Sequence, residues 1–355
     1  MKKNFLFSTL VTAAIIAACT KTPETVQVGG LQSDGRFPVS ISVDVPKTAE
    51  TKLNGPMASE NSTDSALVII FDKNITEAYG IARTGEPLTL DLTRGHKTAW
   101  VFVNFQYENK DFYKNVIQNT DQDAPDATLL GTLKGGDKLE MFANEEIDIL
   151  SSTETINLSV KRLAAKVQID KITNNLNSGS PMTIKRIFLC DAYNKLYFTG
   201  DDYAIQEESS DMVNVGGQNL SSYPWFTESM NITLNSGQST DSNFKKTFYC
   251  APNTINEADY LDRFEDPSQV DAFPLLTKLV VEVEFLSDFG SVYYPICLHD
   301  YDPQGIVASN HFYHIKELKI KHIGSPTPEK RIQSATADFS VEVIPWEEHE
   351  INQEF

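Results

Sequence analysis

The stretch Phe37-Pro-Val-Ser-Ile-Ser-Val-Asp-Val45 decides the fold class, because apolar and polar side chains alternate along it. The odd positions carry only apolar residues, namely Phe37, Val39, Ile41, Val43 and Val45. Successive side chains of a β-strand point to opposite faces, so this pattern predicts a strand with one buried face. Burying each apolar side chain is worth about 1.5–3 kcal/mol, so removing the strand would expose apolar surface worth roughly 10 kcal/mol.

Strand patterns also dominate the rest of the chain. Continuous apolar runs at 66–72 and 98–105 are typical of central strands. Further strands are predicted at 88–92, 155–160, 163–172, 183–190, 231–234, 247–251, 278–285, 291–298, 312–322 and 337–343. The apolar positions change parity between Ile315 and Leu318, which predicts a β-bulge. Residues 108–120 are predicted to form a helix, and residues 200–229 are predicted to be irregular.

Many short strands separated by turn residues indicate an all-β fold built from β-sandwiches. The 355 residues are enough for two domains of ordinary size. We predict a change of domain near 159–166. This gives an N-terminal sandwich at 53–160 and a C-terminal sandwich at 161–355.

The first residues have the pattern of a bacterial lipoprotein signal. Lys2 and Lys3 precede an apolar run at 5–18, which is too short to span a bilayer as a helix. The run ends in Ile16-Ala-Ala-Cys19, which resembles a lipobox. We expect residues 1–18 to be a signal peptide and Cys19 to carry the lipid. The alternative is an ordinary signal peptide followed by an incidental Cys. Residues 20–35 are polar and are predicted to be a flexible tether.

Composition argues against several functions. With 49 acidic and 30 basic side chains the formal net charge is −19, so nucleic-acid binding is not expected. We find no phosphate-binding loop and no nucleophile motif, and we predict no enzyme activity, no cofactor and no metal site. His311 and His314 are expected on opposite faces of one strand. The segment His299-Asp-Tyr-Asp302 is predicted to be a polar turn.

Three cysteines remain after Cys19, and an odd number cannot all pair within one chain. We predict that Cys190, Cys250 and Cys297 are buried free thiols, with one disulfide as the alternative.

Trp225 and the tyrosines of the region 193–223 could either pack in a core or bind glycans.

Three short motifs together resemble one family. They are Arg162-Leu-Ala-Ala-Lys-Val167, Asn310-His-Phe-Tyr-His-Ile315 and, near the end, Val343-Ile-Pro-Trp346. With the lipobox, the tether and the first strand, they resemble the fimbrillin family, the major-fimbria or type V pilin subunits of Bacteroidales-type bacteria. The resemblance implies two transthyretin-like β-sandwich domains with few short helices, and no catalytic activity.

The family resemblance also implies a route of maturation. The precursor reaches the outer membrane as a lipoprotein, and a trypsin-like protease cuts after a basic residue in the loop that follows the first strand. Cutting after Arg36 would leave that strand in place. Cutting at Lys52-Leu53, our first choice, or after Lys47, our second, would remove the tether and strand within 19–52. The family site often has Arg, whereas this loop offers only Lys, so the identity of the protease stays open.

A strand from the next subunit would then fill the groove and extend the extracellular fimbrium. We predict that this donor lies within 346–355, with apolar anchors at Ile344, Trp346, Ile351 and Phe355. Its partners would be other copies of this chain and related fimbrial subunits. Two alternatives are a monomeric surface lipoprotein that binds glycans or host proteins, and a secreted hydrolase. The first of these alternatives would retain the lipid and residues 37–45. For residues 37–45 themselves, the alternative to removal is that they form a permanent edge strand.

Overall fold

The structure is a computed structural model, and it describes the residues that follow. They are 35–44, 65–73, 75–83, 86–104, 123–127, 138–150, 155–176, 178–193, 196–199, 202–204, 212–213, 227–254, 276–285, 290–330, 332 and 336–345. For 123–127, 196–199, 202–204, 212–213 and 345, only the backbone is considered.

Within these ranges, extended β-structure dominates and the only helical element is a 3-10 turn at Leu298–Tyr301. The strands, in chain order, are β1 (Phe37–Asp44), β2 (Ser65–Asp72), β3 (Ile75–Arg83), β4 (Leu88–Leu92), β5 (Gly95–Val103), β6 (Asp123–Ala127), β7 (Met141–Ile149), β8 (Thr155–Ser159), β9 (Lys161–Arg162), β10 (Ala165–Ile169), β11 (Ile172–Asn174), β12 (Met182–Cys190), β13 (Ala192–Tyr193), β14 (Leu196–Thr199), β15 (Asp202–Ala204), β16 (Met212–Val213), β17 (Thr227–Leu234), β18 (Lys246–Cys250), β19 (Lys278–Phe285), β20 (Ser291–Cys297), β21 (His311–Ile320) and β22 (Ala337–Pro345).

Two sheets in the first half of the chain share one core. The larger sheet has the strand order β3-β2-β5-β7-β9, and the smaller has the order β4-β1-β8. Alternate side chains from both sheets form a single buried cluster that runs from Val39 to Val160. This arrangement is a β-sandwich, because each sheet buries one face against the other.

Two further sheets share a second core. One has the order β17-β12-β19-β20, and in the other β21 pairs with β22 on one side and with β10 and β11 on the other. Their buried side chains form a cluster that runs from Ala165 to Ala337. The two clusters have no residue in common, and the chain passes from one to the other between Val160 and Ala165.

The prediction of an all-β fold of sandwich type is confirmed. The predicted bulge is also confirmed, because the register between β21 and β22 shifts between Ile315 and Leu318. The same irregularity corrects the single strand predicted at 163–172. Asp170 and Lys171 separate β10, which pairs with β21 before the shift, from β11, which pairs with β21 after it.

Several strands were missed in the sequence. β3 and β7 were not predicted, and the stretch 200–229, predicted to be irregular, contains β15, β16 and the start of β17. The predicted helix at 108–120 lies outside the described residues. Among the described residues, no helix has the length and hydropathy of a membrane-spanning segment.

Candidate functional site

β1 is the middle strand of its three-stranded sheet. It pairs antiparallel with β4, from Phe37 opposite Leu92 to Ile41 opposite Leu88. It also pairs in parallel with β8, from Ser40 opposite Thr155 to Asp44 opposite Ser159. The alternative in which residues 37–45 form a permanent edge strand is therefore wrong, because β1 has a hydrogen-bonded neighbour on each side.

The inward side chains of β1 fill the middle of the first core. Val39 and Ile41 are completely buried, whereas Phe37 and Val43 are half-buried and pack against the same cluster. The guanidinium carbon of Arg94 lies 5.8 Å from the centre of the Phe37 ring. Val45 lies outside the described residues. The two completely buried side chains account for about 3–6 kcal/mol, which is less than the predicted total for five.

The two neighbours of β1 have no other strand partner in the described part of the chain. β4 contributes Leu88, Leu90 and Leu92 to the core, and β8 contributes Ile156 and Leu158. Without β1, these strands would be the walls of an open slot with an apolar floor. Each wall would present the backbone N–H and C=O groups that β1 now pairs, which is the pattern a further β-strand binds.

The predicted processing residues surround β1 in the sequence. Arg36 directly precedes the strand and is half-buried. Cys19, Lys47, Lys52 and Leu53 lie outside the described residues. β1 ends at Asp44 and β2 begins at Ser65.

The predicted donor segment follows β22, which pairs only with β21 among the described residues. Phe339, Val341 and Val343 of β22 pack against the second core, whereas Ile344 lies opposite Phe312 and is half-buried. Ile344 thus belongs to a strand of the chain's own sheet. The other predicted anchors, Trp346, Ile351 and Phe355, lie outside the described residues.

The first two sequence motifs lie side by side in the structure. Nη1 of the buried Arg162 is 3.4 Å from Oδ1 of Asn310, and the backbone N of Asn310 donates to O of Ala164 at 3.0 Å. Nζ of Lys166 lies 5.1 Å from the centre of the Phe312 ring, across the parallel pair β10 and β21. Both motifs were found in the sequence, but their contact was not predicted.

No protein-family model matches the sequence, and no curated protein matches it either. Solved structures are similar along nearly their whole length. A proposed cell adhesion protein from Bacteroides eggerthii DSM 20697 superposes with a TM-score of 0.60 at 15% identity, covering 90% of this chain and 98% of that one. A fimbrilin from Porphyromonas gingivalis W83 superposes with a TM-score of 0.58 at 14% identity, covering 87% of this chain and 97% of that one. This chain has the fimbrillin fold.

A third similar structure agrees with the other two. It is a proposed cell adhesion protein from Parabacteroides distasonis ATCC 8503, with a TM-score of 0.55 at 13% identity, covering 88% of this chain and the whole of that one. The fimbrillin fold therefore extends over both of the sandwiches described above.

The histidines singled out in the sequence have structural partners within this fimbrillin fold. Nε2 of His314 is 2.6 Å from Oδ2 of Asp170, and the His311 ring contacts the backbone O of Ser309. Burial acts to raise the pKa of Asp170, but the hydrogen bond and charge of His314 leave that pKa below its usual value. In the described ranges, no group of three or more His, Cys, Asp or Glu side chains is arranged to hold a metal ion.

The segment predicted as a polar turn is the 3-10 turn, which confirms the prediction. His299 within it is nevertheless buried. Its Nε2 accepts from the backbone N of Thr277 at 3.0 Å, and its Nδ1 is 3.0 Å from O of Gly305. Trp225 lies outside the described residues.

A buried polar network next to this turn was not found in the sequence. Nζ of Lys278 contacts Oδ2 of Asp191, and these side chains are 0% and 1% exposed. The Cys190 thiol donates to the same carboxylate oxygen, and the Thr277 hydroxyl donates to the backbone O of Asp191 at 2.9 Å. The sequence of β19 gave no hint, because Lys278 occupies a polar position of an alternating strand in the same way as Glu282 and Glu284.

All three cysteines of the described chain are free and buried, which confirms the prediction. Burial raises the pKa of Cys250 and of Cys297 to about 12, and it raises the pKa of Cys190 well above its usual value. We expect a lipid-free chain that begins after Cys19 to resist a thiol reagent at pH 8, because the thiolate is the reactive form. All three thiols should react in guanidinium chloride. Rapid labelling of the native chain would contradict this prediction.

Proposed function

We propose that this chain is a structural, non-catalytic subunit of a cell-surface fimbria that serves adhesion, and that its subunits join by exchange of β-strands. The central position of β1 between β4 and β8 carries the proposal. Removing an edge strand would leave a smaller intact sheet, whereas removing a middle strand leaves a slot that one extended segment can fill. A head-to-tail contact of this kind builds an open filament when the rotation between neighbouring subunits does not close a ring.

The proposed precursor is exported by the signal at 1–18, lipidated at Cys19 and held at the outer membrane. A trypsin-like protease then cuts after Lys52, or after Lys47 as the second choice. Either cut falls between Asp44, the last residue of β1, and Ser65, the first of β2, so it separates β1 from the rest of the fold without entering a described strand. The mature subunit would consist of sandwich domains at 53–160 and 161–355.

Release of β1 from the cut chain is energetically accessible. Two completely buried side chains, two half-buried side chains and the backbone hydrogen bonds to β4 and β8 hold it once the covalent link is gone. A segment that offers the same backbone groups and comparable apolar side chains can therefore compete for the slot.

The proposed donor is the segment 346–355 of a neighbouring copy. It directly follows β22, whose side chains Val341 and Val343 keep that strand on the second core. The donor can therefore extend to a neighbouring subunit while β22 stays in place. To reproduce the present pairing, it would run antiparallel to β4 and parallel to β8, as β1 does.

Limited trypsin treatment of the lipid-free chain tests this proposal. We expect a cut after Lys47 or Lys52, detected by intact mass, followed by a ladder of oligomers on non-boiled SDS gels. Deleting 346–355 should abolish the ladder without preventing the cut.

The matched controls separate the possible sites. A variant carrying both Lys47→Gln and Lys52→Gln should stay monomeric, whereas Arg36→Gln should polymerise like the parent chain. A parent chain that is cut in this loop but stays monomeric would overturn the proposal in favour of a monomeric surface lipoprotein.

A further inference from the structure

Strand exchange creates a structural problem for β4. β1 is its hydrogen-bonded strand partner in the described chain, so β4 loses that neighbour when β1 leaves. Without a strand partner, β4 could then shift towards β8 and close the slot. Contacts that hold β4 in place without involving β1 are therefore of special interest.

Such contacts occur at the residue that follows β4. The backbone N of Thr93 donates to Oε1 of Glu77 at 2.7 Å, and the Thr93 hydroxyl accepts from Nζ of Lys97 at 2.8 Å. Nζ of Lys97 is also 3.0 Å from Oε2 of Glu77 and 2.9 Å from Oδ2 of Asp72. Asp72, Glu77 and Lys97 lie in β2, β3 and β5 of the facing sheet, respectively. None of these contacts involves β1.

The burial of this group is unusual for charged residues. Glu77 is 4% exposed and Lys97 is 2% exposed. A buried ion pair loses its hydration, and well-packed apolar residues often stabilise a core equally well. Here, however, the pair makes directional hydrogen bonds to one residue at the end of the wall, which apolar side chains cannot do. Glu77 accepts from the backbone N of Thr93, and Lys97 donates to its hydroxyl.

Packing along β4 supports the same role. A Cβ atom at Gly80 of β3 would lie 2.9 Å from Cδ1 of Leu88 and 3.2 Å from Cδ2 of Leu90, so β4 lies directly on β3. The opposite wall has its own tie to the larger sheet, because the backbone N of Ser159 at the end of β8 donates to Oε1 of Glu145 at 2.7 Å.

We infer that Glu77, Lys97 and Thr93 form an anchor that holds β4 in position while the place of β1 is empty, so that the incoming strand meets a preformed slot. These are positioning residues, and the inference rests on the strand exchange proposed above. The anchor acts on the affinity for the incoming strand, because a slot that must reopen binds more weakly than one that is preformed.

The test uses the full lipid-free chain after the trypsin cut and a fluorescent synthetic peptide with the sequence of residues 37–45. Incorporation of the peptide is titrated and measured by gel filtration. We expect Glu77→Gln and Thr93→Val each to raise the apparent Kd of the cut chain for the peptide about tenfold. Thr93→Val removes a hydrogen bond to the Lys97 ammonium, and Glu77→Gln removes the negative charge that strengthens the hydrogen bond to the Thr93 backbone N. Thr93→Val keeps the backbone donor and nearly the same shape, so it serves if Glu77→Gln does not fold.

The matched controls are Glu146→Gln and Thr98→Val, which break an exposed Thr–Glu hydrogen bond of 2.9 Å between β5 and β7. They should leave the Kd unchanged. Uncut Thr93→Val, which leaves the buried Glu77–Lys97 pair intact, should unfold in guanidinium chloride close to the parent midpoint, whereas uncut Glu77→Gln should lose stability because one charge of that pair is removed. Thr93→Val that binds the peptide like the parent, or whose uncut form loses as much stability as its cut form loses affinity, would overturn the anchor alone. A cut parent chain that takes up no peptide would overturn strand exchange and the anchor together.

Discussion

Replacing Lys278 with Met is expected to lower the free energy of unfolding by about 3–5 kcal/mol, because it leaves the Asp191 carboxylate buried without its cation. Both side chains are at most 1% exposed, so water cannot take the place of the ammonium group without opening the core. The Cys190 thiol, which donates to the same oxygen, is too weak a donor to compensate for the missing charge. Chemical denaturation followed by circular dichroism measures the loss.

An exposed pair on the same sheet provides the control. Lys185 and Glu284 also join β12 to β19, but their side chains are 38% and 51% exposed. Lys185→Met should therefore cost no more than about 1 kcal/mol. Adding Asp191→Asn to Lys278→Met should recover much of the loss, because Asn is uncharged and tolerates the positive φ of 51° at this position. Equal losses for Lys278→Met and Lys185→Met would contradict this account.

Replacing Ile41 with Asp is expected to destabilise the uncut chain by about 4 kcal/mol or more. The change removes an apolar side chain that is completely buried and places a carboxylate in the same apolar site. β1 should then leave the slot although the chain is intact. The variant should therefore take up the labelled 37–45 peptide without trypsin treatment.

Ser42→Asp is the control on the neighbouring position of the same strand. Ser42 is half-buried and outside the apolar cluster, so the added charge should have a small effect and the uncut chain should exclude the peptide. Peptide uptake by Ser42→Asp, or its absence in Ile41→Asp, would show that the inward face of β1 does not keep the strand in place.

Local patterns predicted those strands in which apolar residues occur at every second position. The alternation at 37–45 predicted β1, and the alternation at 278–285 predicted β19 with the bounds observed. β3 was missed because Glu77 and Gly80 interrupt its apolar side, and β7 was missed because Glu145, Glu146 and Asp148 occupy much of its length. In both strands, the pairing with neighbours outweighs a weak intrinsic preference.

The candidate site was only partly predictable for a different reason. Sequence alternation shows that β1 has a buried face, but not that β4 and β8 lie on its two sides, since this depends on pairing between distant segments. The same applies to Glu77 and Lys97, which have the composition of ordinary surface residues and become an anchor only through the approach of β3, β4 and β5. The pairing register of strands that are distant in the sequence cannot be predicted from the residues of either strand alone.

The parallel pairing of β1 with β8 also bears on how the chain folds. Ser40 and its partner Thr155 are more than a hundred residues apart. Closing so long a loop costs entropy before any contact compensates for it, so pairings of this kind form late. In a chain that emerges N-terminus first, β1 cannot form its parallel pairing until β8 has also emerged. The first strand of the described residues is therefore expected to be among the last to join the first sandwich.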